Sequence, residues 1–162
     1  MRSRILILLG LVILTGSAFG PASASGRIGG EVIADASEIF LLPFQEEGST
    51  AELTDDYDEP CSQGSTSPDG VFKYTNPTTL SQRADIWICS DEYDTKLFTY
   101  STRDDSLFVS GCNDDASCGR SRYGSRLDAL LIKPGQTIYI VVDGSNGESG
   151  GYSIDMRLVV GA

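Results

Sequence analysis

The chain has 162 residues, 23 acidic against 12 basic side chains, a net charge of −11, four cysteines and no histidine. That length makes one ordinary domain around a single core. The charge opposes binding to nucleic acid or to an anionic membrane. The absence of histidine excludes Ser-His and Cys-His nucleophilic pairs and the His-Glu helices of zinc proteases.

In chain order, residues 1–24 come first, with a basic start at Arg2 and Arg4, an apolar run from Ile5 to Leu14 and a small-residue finish at Ala22-Ser23-Ala24. This pattern predicts a secretory signal peptide that is removed, because the apolar run is too short for a membrane span. No later segment is apolar enough to cross a bilayer, so the expected location is secreted or periplasmic. Residues 25–30 are small and polar and are expected to be flexible. A single domain is expected over residues 31–160.

Apolar content returns at Ile33 and from Ile39 to Phe44, and a turn-rich region follows from Gln45 to Gly70. Short apolar runs then recur at Val71 to Thr75, Ala84 to Cys89, Lys96 to Tyr100, Leu107 to Val109, Ser125 to Ile132, Thr137 to Val142 and Tyr152 to Val159. They are separated by Gly, Asp, Asn, Ser or Pro, with no sustained period of three to four. That is strand spacing. Side chains alternate across a strand, so Ala84, Ile86 and Ile88 form one inward set, Ile138, Ile140 and Val142 a second, and Tyr152, Ile154, Met156 and Leu158 a third. Tyr139 and Val141 make the Thr137 to Val142 run apolar on both faces, which predicts a central strand. Lys133-Pro134-Gly135-Gln136 reads as a tight hairpin turn. The expected fold is all-β, a two-sheet β-sandwich of about seven or eight strands with jelly-roll-like or Greek-key topology.

Four cysteines allow three pairings. The short spacing favours Cys112 with Cys118, leaving Cys61 with Cys89. In the chain-entropy account these loops would contribute about 2 and about 3.5 kcal/mol. Zinc is not a sensible reading of scattered single cysteines without histidine.

Ser67-Pro68-Asp69-Gly70-Val71-Phe72-Lys73-Tyr74, Cys89-Ser90-Asp91-Glu92-Tyr93-Asp94-Thr95-Lys96-Leu97, Cys112-Asn113-Asp114-Asp115 and Tyr139-Ile140-Val141-Val142-Asp143-Gly144, followed by Gly151-Tyr152-Ser153-Ile154, together resemble the bacterial pre-peptidase C-terminal domain family. The likeness runs from about Glu31 to Val159. It implies a jelly-roll-like sandwich, secretion and a non-catalytic accessory role, usually beside extracellular hydrolases, with collagen, polysaccharide or calcium bound by some relatives. This sequence departs from the usual arrangement in having no peptidase before the domain.

Calcium takes six to eight hard oxygen ligands. Asn113, Asp114 and Asp115 are the candidate metal ligands; Asp55, Asp56 and Asp58, and Asp91, Glu92 and Asp94, form further acidic groups, although Asp and Asn are also ordinary turn formers. No cofactor is required by these motifs, and calcium is the one candidate. Trp87 and Tyr93 are the candidate ligand-binding aromatics, since flat amphipathic rings suit sugar or protein surfaces. The chain is therefore expected to be a secreted, non-enzymatic binding module whose partner is an extracellular polysaccharide or protein. A structural or assembly component of the cell surface is the alternative, and a small glycoside hydrolase with paired carboxylates a weaker one.

Overall fold

The computed structural model describes residues 28–59, 66–103, 106–119 and 121–159. The signal-peptide reading of residues 1–24 lies outside them. The described chain is a sandwich of two five-stranded sheets. It contains β1 (Ser37–Ile39), β2 (Phe44–Ser49), β3 (Gly70–Thr75), β4 (Gln82–Ser90), β5 (Thr95–Arg103), β6 (Ser106–Asn113), β7 (Ala116–Cys118), β8 (Ser121–Ile132), β9 (Thr137–Gly144) and β10 (Gly151–Leu158), after a 3-10 turn at Ile33–Asp35. One sheet, A, has the order β1-β3-β9-β5-β6; the other, B, has the order β2-β10-β4-β8-β7.

Ten strands replace the seven or eight expected. The additional ones, β1, β2 and β7, are short or polar and carry no apolar alternation to announce them. Ser37–Ile39 runs parallel to β3, and Phe44–Ser49 pairs with β10 although four of its six residues are Gln, Glu or Gly. Ile28 to Gly30 belong to the fold rather than to a flexible lead, since Gly30 and Val71 exchange both backbone hydrogen bonds at 2.8 and 2.9 Å.

The inward sets meet between the sheets. Ala84, Ile86 and Ile88 from β4, Ile138, Ile140 and Val142 from β9, and Tyr152, Ile154 and Met156 from β10 join Phe72, Leu97 and Ile132 in one core. Leu158 departs from its expected inward place: it stands 40% exposed at the end of β10. β9 is central, between β3 and β5. Its second apolar face is covered as well, with Val141 packed against Val71, Phe98 and Ala36, and with Tyr57, Tyr100 and Tyr139 around them. This smaller core lies on the outside of sheet A under the 3-10 turn and the segment leading to Glu59. Tyr57 anchors that cover by accepting a bond from the Ile33 N–H at 2.8 Å.

Lys133 to Gln136 form a tight turn, closed by the Gln136 N–H to the Lys133 carbonyl at 3.0 Å with Gly135 at φ 68°. It is not a hairpin: β8 lies in sheet B and β9 in sheet A. The strands on either side each bury apolar side chains on the facing inner surfaces, so a tight turn here carries the chain across the sandwich. β9 to β10, β3 to β4 and β4 to β5 also change sheets.

The cysteine pairing is corrected. Cys89 is bonded to Cys118, with Cα atoms 5.7 Å apart. Cys112 is also disulfide-bonded, and no described cysteine is free; Cys61 lies outside the described residues. Cys112 belongs to β6 in sheet A, and the chain crosses to sheet B before Cys118, so nearness in sequence does not become nearness across the sandwich. Gly124 of β8 makes the observed bridge sterically feasible: a Cβ there would sit 2.4 Å from Cys118 Sγ.

Candidate functional site

Three inter-strand loops meet at one end of the sandwich and bring several acidic residues together there. The β4–β5 turn is built on Ser90, whose hydroxyl donates to the Gly151 carbonyl at 2.7 Å and accepts from the N–H groups of Glu92 and Tyr93. That turn presents Asp94. Glu148, on the β9–β10 loop, accepts the Asp94 N–H at 2.9 Å, and Asp94 returns its carbonyl to the Ser145 N–H at 2.9 Å. Ser145 donates its hydroxyl to Asp114, 2.9 Å away on the β6–β7 connection. Glu92 accepts the Gly151 N–H at 2.6 Å. These links hold carboxylates from three loops together with backbone donors as the mortar.

The electrostatic consequence falls on Asp94. Partial burial, together with the negative charges of Asp114, Asp115 and Glu148, pushes its carboxyl above the usual range. Beside it opens a cleft of about 320 Å³ lined by Glu92, Tyr93, Asp94, Tyr123, Glu148 and Ser149. Tyr123 is 49% exposed at its edge. The arrangement attracts a cation or a cationic side chain, because gathered carboxylates recover mutual repulsion when a positive charge arrives.

The expected metal trio does not converge as three consecutive residues. Asn113 turns toward sheet B, where its side-chain Oδ1 accepts the Arg126 backbone N–H at 2.8 Å. Asp114 is committed to Ser145, while Asp115 adds its charge to that felt by Asp94. Among the described residues no three Asp, Glu or Cys side chains stand close enough to share an ion.

The two candidate aromatics separate. Tyr93 is a correction: it is only 2% exposed and belongs to the main core. Tyr93 follows the turn built on Ser90 beyond the end of β4, and burial pushes its phenol pKa up. Trp87 lies on the outer face of sheet B, as alternation predicts, but its ring is covered by the Arg126 guanidinium 4.1 Å from the centroid, with Arg157 at 6.0 Å. Asp85 faces Arg126 at 3.8 Å, and Asp128 pairs with it more closely. Asp155, across β4 from Trp87 in register, takes two bonds from Arg157 and one from Gln45. Burial opposes its ionisation, but those bonds and the Arg157 charge outweigh it and hold the carboxyl below the usual range. Trp87 is thus the centre of a charged ladder rather than an open platform.

A second polar group escapes the sequence altogether. Asp69, Lys96 and Asp143 are all fully buried at the end of the smaller core. Lys96 and Asp143 lie directly opposite each other on β5 and β9. Asp69 accepts the Asp56 and Tyr57 N–H groups on Oδ2, at 2.9 and 3.0 Å, and so fastens the covering segment to sheet A. Burial above all, then the charges of Asp143 and Asp56, push its carboxyl up to about 7 against those two bonds. In the sequence, Ser67-Pro68-Asp69-Gly70 carries only the signature of a turn.

No family model matches the chain, and no curated protein matches it. Among solved structures it is similar to the pre-peptidase C-terminal domain of a collagenase from Bacillus anthracis, at 14% identity and a TM-score of 0.47, over 75% of this chain and 93% of that one. It is also similar to PliG of Aeromonas hydrophila, a periplasmic inhibitor of g-type lysozyme, at 12% identity and a TM-score of 0.44, over 76% of this chain and 95% of that one. The first bears the family name reached above from the sequence motifs.

Proposed function

We propose that the chain is an exported, non-catalytic binding module whose acidic end receives cationic groups of an extracellular protein or polysaccharide. The observation that carries this reading is the meeting of Asp94, Asp114, Asp115 and Glu148 from three separate loops beside an exposed Tyr123. Loops held by a rigid sandwich are where binding surfaces are usually built. Export through residues 1–24 to the periplasm or beyond agrees with the Cys89–Cys118 bond, which persists in oxidising compartments. No helix among the described residues is long and apolar enough to cross a membrane. Calcium is the small cation to test at this end: since no three described carboxylates there share an ion, it would have to draw on backbone carbonyl and water oxygens beside one or two carboxylates.

The test uses the exported, oxidised chain against soluble lysine-rich and glutamate-rich polypeptides and against cationic and neutral polysaccharides. Binding is expected only to the cationic members and weakens with salt. The Asp94→Asn/Glu148→Gln double variant loses about tenfold in affinity, at roughly 0.7 kcal/mol per exposed pair. Equal retention of neutral ligands, or a double variant that binds as well as the parent, overturns the reading. A melting curve in millimolar calcium and in chelator tests the ion separately: a ligand of the folded state raises the midpoint, and superimposable curves remove calcium from the proposal.

A further inference from the structure

The end of the sandwich opposite the acidic corner is built from the β1–β2 loop, the β3–β4 loop, the β8–β9 turn and the last residues of β10. Register places them together: Ile39 pairs with Tyr74, Thr75 with Thr137, Gln82 with Ile132 and Ala84 with Leu158. The tips are apolar. Phe40 and Leu41 stand 75% and 80% exposed on the first loop and Leu80 74% exposed on the second, with Leu131 and Leu158 exposed at the adjoining strand ends. The second loop is tied down, since Asn76 donates from Nδ2 to the Leu80 and Ile132 carbonyls at 2.9 and 3.0 Å and exchanges backbone bonds with Gly135 and Gln136. Single exposed leucines mean little, but apolar side chains gathered at one end mark a docking surface.

Charge at this end says what docks there. Of the chain's 23 acidic side chains none falls within residues 40–45, 76–83, 131–137 or 156–159, whereas Arg83, Lys133 and Arg157 do. Asp155 takes the charge of Arg157 at 2.6 Å. Arg83 donates to the Ala129 carbonyl at 3.0 Å, and among the described residues neither it nor Lys133 is paired with an acid. Glu38, on β1, is paired with Lys73, and Glu46 and Glu47 follow further along β2. Asp104 and Asp105, between β5 and β6 toward the far edge of sheet A from β1, lie outside the described residues. The acidic corner is a full strand away: the eight residues of β10 span about 26 Å, roughly three Debye lengths at physiological salt. The net charge that opposes an anionic membrane for the chain as a whole is thus screened from this end.

Two hollows, of about 510 and about 260 Å³, flank Leu158; the first is walled by Leu42, Pro43 and Arg157, the second by Leu131, Val159 and Arg83. Each sets aliphatic walls beside a guanidinium, the combination that suits an acyl chain joined to a phosphate. We propose that this end docks the chain peripherally on an anionic phospholipid surface, with Phe40, Leu41 and Leu80 sunk to the boundary of headgroups and acyl chains and with Arg83 and Lys133 against the phosphates. Side chains exposed by about three quarters, on separate loops, suit a fluid partner that closes round them. A second copy would instead set Arg83 and Lys133 against their own kind. In this orientation the acidic corner faces away from the lipid and stays open to its own ligand.

Co-sedimentation of the exported, oxidised chain with vesicles tests this, in chelator so that no divalent ion bridges the acidic corner to lipid. The vesicles are phosphatidylcholine alone and phosphatidylcholine with about a third phosphatidylglycerol. Binding to the mixed vesicles is expected to exceed that to the neutral ones by roughly thirtyfold, from two unpaired cations, and to weaken with salt. The Phe40→Ser/Leu41→Ser variant loses about a hundredfold on both, with an unchanged melting midpoint because both side chains are exposed. Leu80→Trp adds an emission that brominated acyl chains quench, whereas Asp91→Trp, exposed on the β4–β5 turn, adds one that they do not. A chain that ignores both vesicles leaves the tips to a protein partner and overturns the proposal. So do a serine variant that binds as the parent does, equal quenching at positions 80 and 91, or a dimer of the free chain that the serine variant abolishes.

Discussion

Replacing Asp69 by asparagine should stabilise the protein above neutral pH and abolish a pH dependence that the parent shows. The Asp69 carboxyl is fully buried, its Oδ2 bonded to two backbone N–H groups while its Oδ1 has no hydrogen-bond partner. Asp143 and Asp56 face it with negative charge, and Lys96 lies opposite Asp143 on the adjoining strand. Its pKa rises from 3.8 to about 7 on folding. The folded state therefore holds this proton more tightly than the unfolded one. The resulting stabilisation is complete below about pH 4 and is lost progressively as pH rises toward 7. A shift of about three units corresponds to about 4 kcal/mol, a large part of the roughly 5 to 15 kcal/mol of an ordinary domain. Asparagine keeps an oxygen for the Asp56 and Tyr57 N–H groups, stays neutral, and offers an amide donor where Oδ1 lacks a partner. Urea unfolding at pH 4.5, 6 and 8 measures the difference between variant and parent, in which titrations common to both cancel. That difference should grow in the variant's favour by roughly 2 to 4 kcal/mol from pH 4.5 to 8. A flat difference, or a variant less stable at pH 8, would show that the carboxylate is ionised and held by a positive partner, and the argument would fail.

Replacing Cys89 and Cys118 together by alanine should cost about 3.5 kcal/mol, from the loop they close at a separation of 29 residues. Denaturant titration checks this, and a loss below about 1 kcal/mol would place the effect of the bond elsewhere. Arg126→Ala should uncover Trp87, the chain's one tryptophan, shift its emission to longer wavelength and cost about 1 kcal/mol. An unmoved spectrum would contradict the stacked geometry.

Much of the sandwich was legible because its central strands obey a simple rule. β4, β9 and β10 bury every second side chain against the opposing sheet, so Ala84-Ile86-Ile88 and Ile138-Ile140-Val142 could be assigned to a face without a structure. The failures share a cause in connectivity. Ser121–Ile132 and Thr137–Gly144 look like the arms of a hairpin, yet periodicity records only which face of each strand is apolar, and that face is the same whether the partner lies beside the strand or across the core. Cys112 and Cys118 suffer from the same ambiguity. Six positions of separation say nothing about a change of sheet between them. β2 was invisible because an edge strand such as Phe44–Ser49, open to solvent, needs backbone partners more than apolar side chains.

The acidic corner was legible only in its composition. Asp91-Glu92-Tyr93-Asp94 and Asn113-Asp114-Asp115 were visible as charge, but Glu148, the residue that bonds the Asp94 N–H, reads in sequence as part of a glycine-rich turn. What selects the members of the corner is which loops the topology carries to the same end, and the crossing of β9 to β10 brings Glu148 there. The buried group obscures the opposite information. Asp69, Lys96 and Asp143 have the composition of a solvated surface, and nothing local marks the covering segment that removes them from water. Tyr57 and Tyr100 hold that segment down, the latter through Glu59 at 2.7 Å, so the polar cluster and its aromatic cover are one unit. Asp69 fastens the same segment through two backbone bonds that favour its ionised form, but burial and the charges of Asp143 and Asp56 oppose ionisation and outweigh them, so deprotonation costs stability beneath the cover while the acidic end, on the loops beyond Asp143, keeps its own separate set of links. Charge on this chain thus sits in two settings: carboxylates gathered on loops at one end, which raise one another's affinity for a proton, and a buried carboxyl that gains from keeping its own.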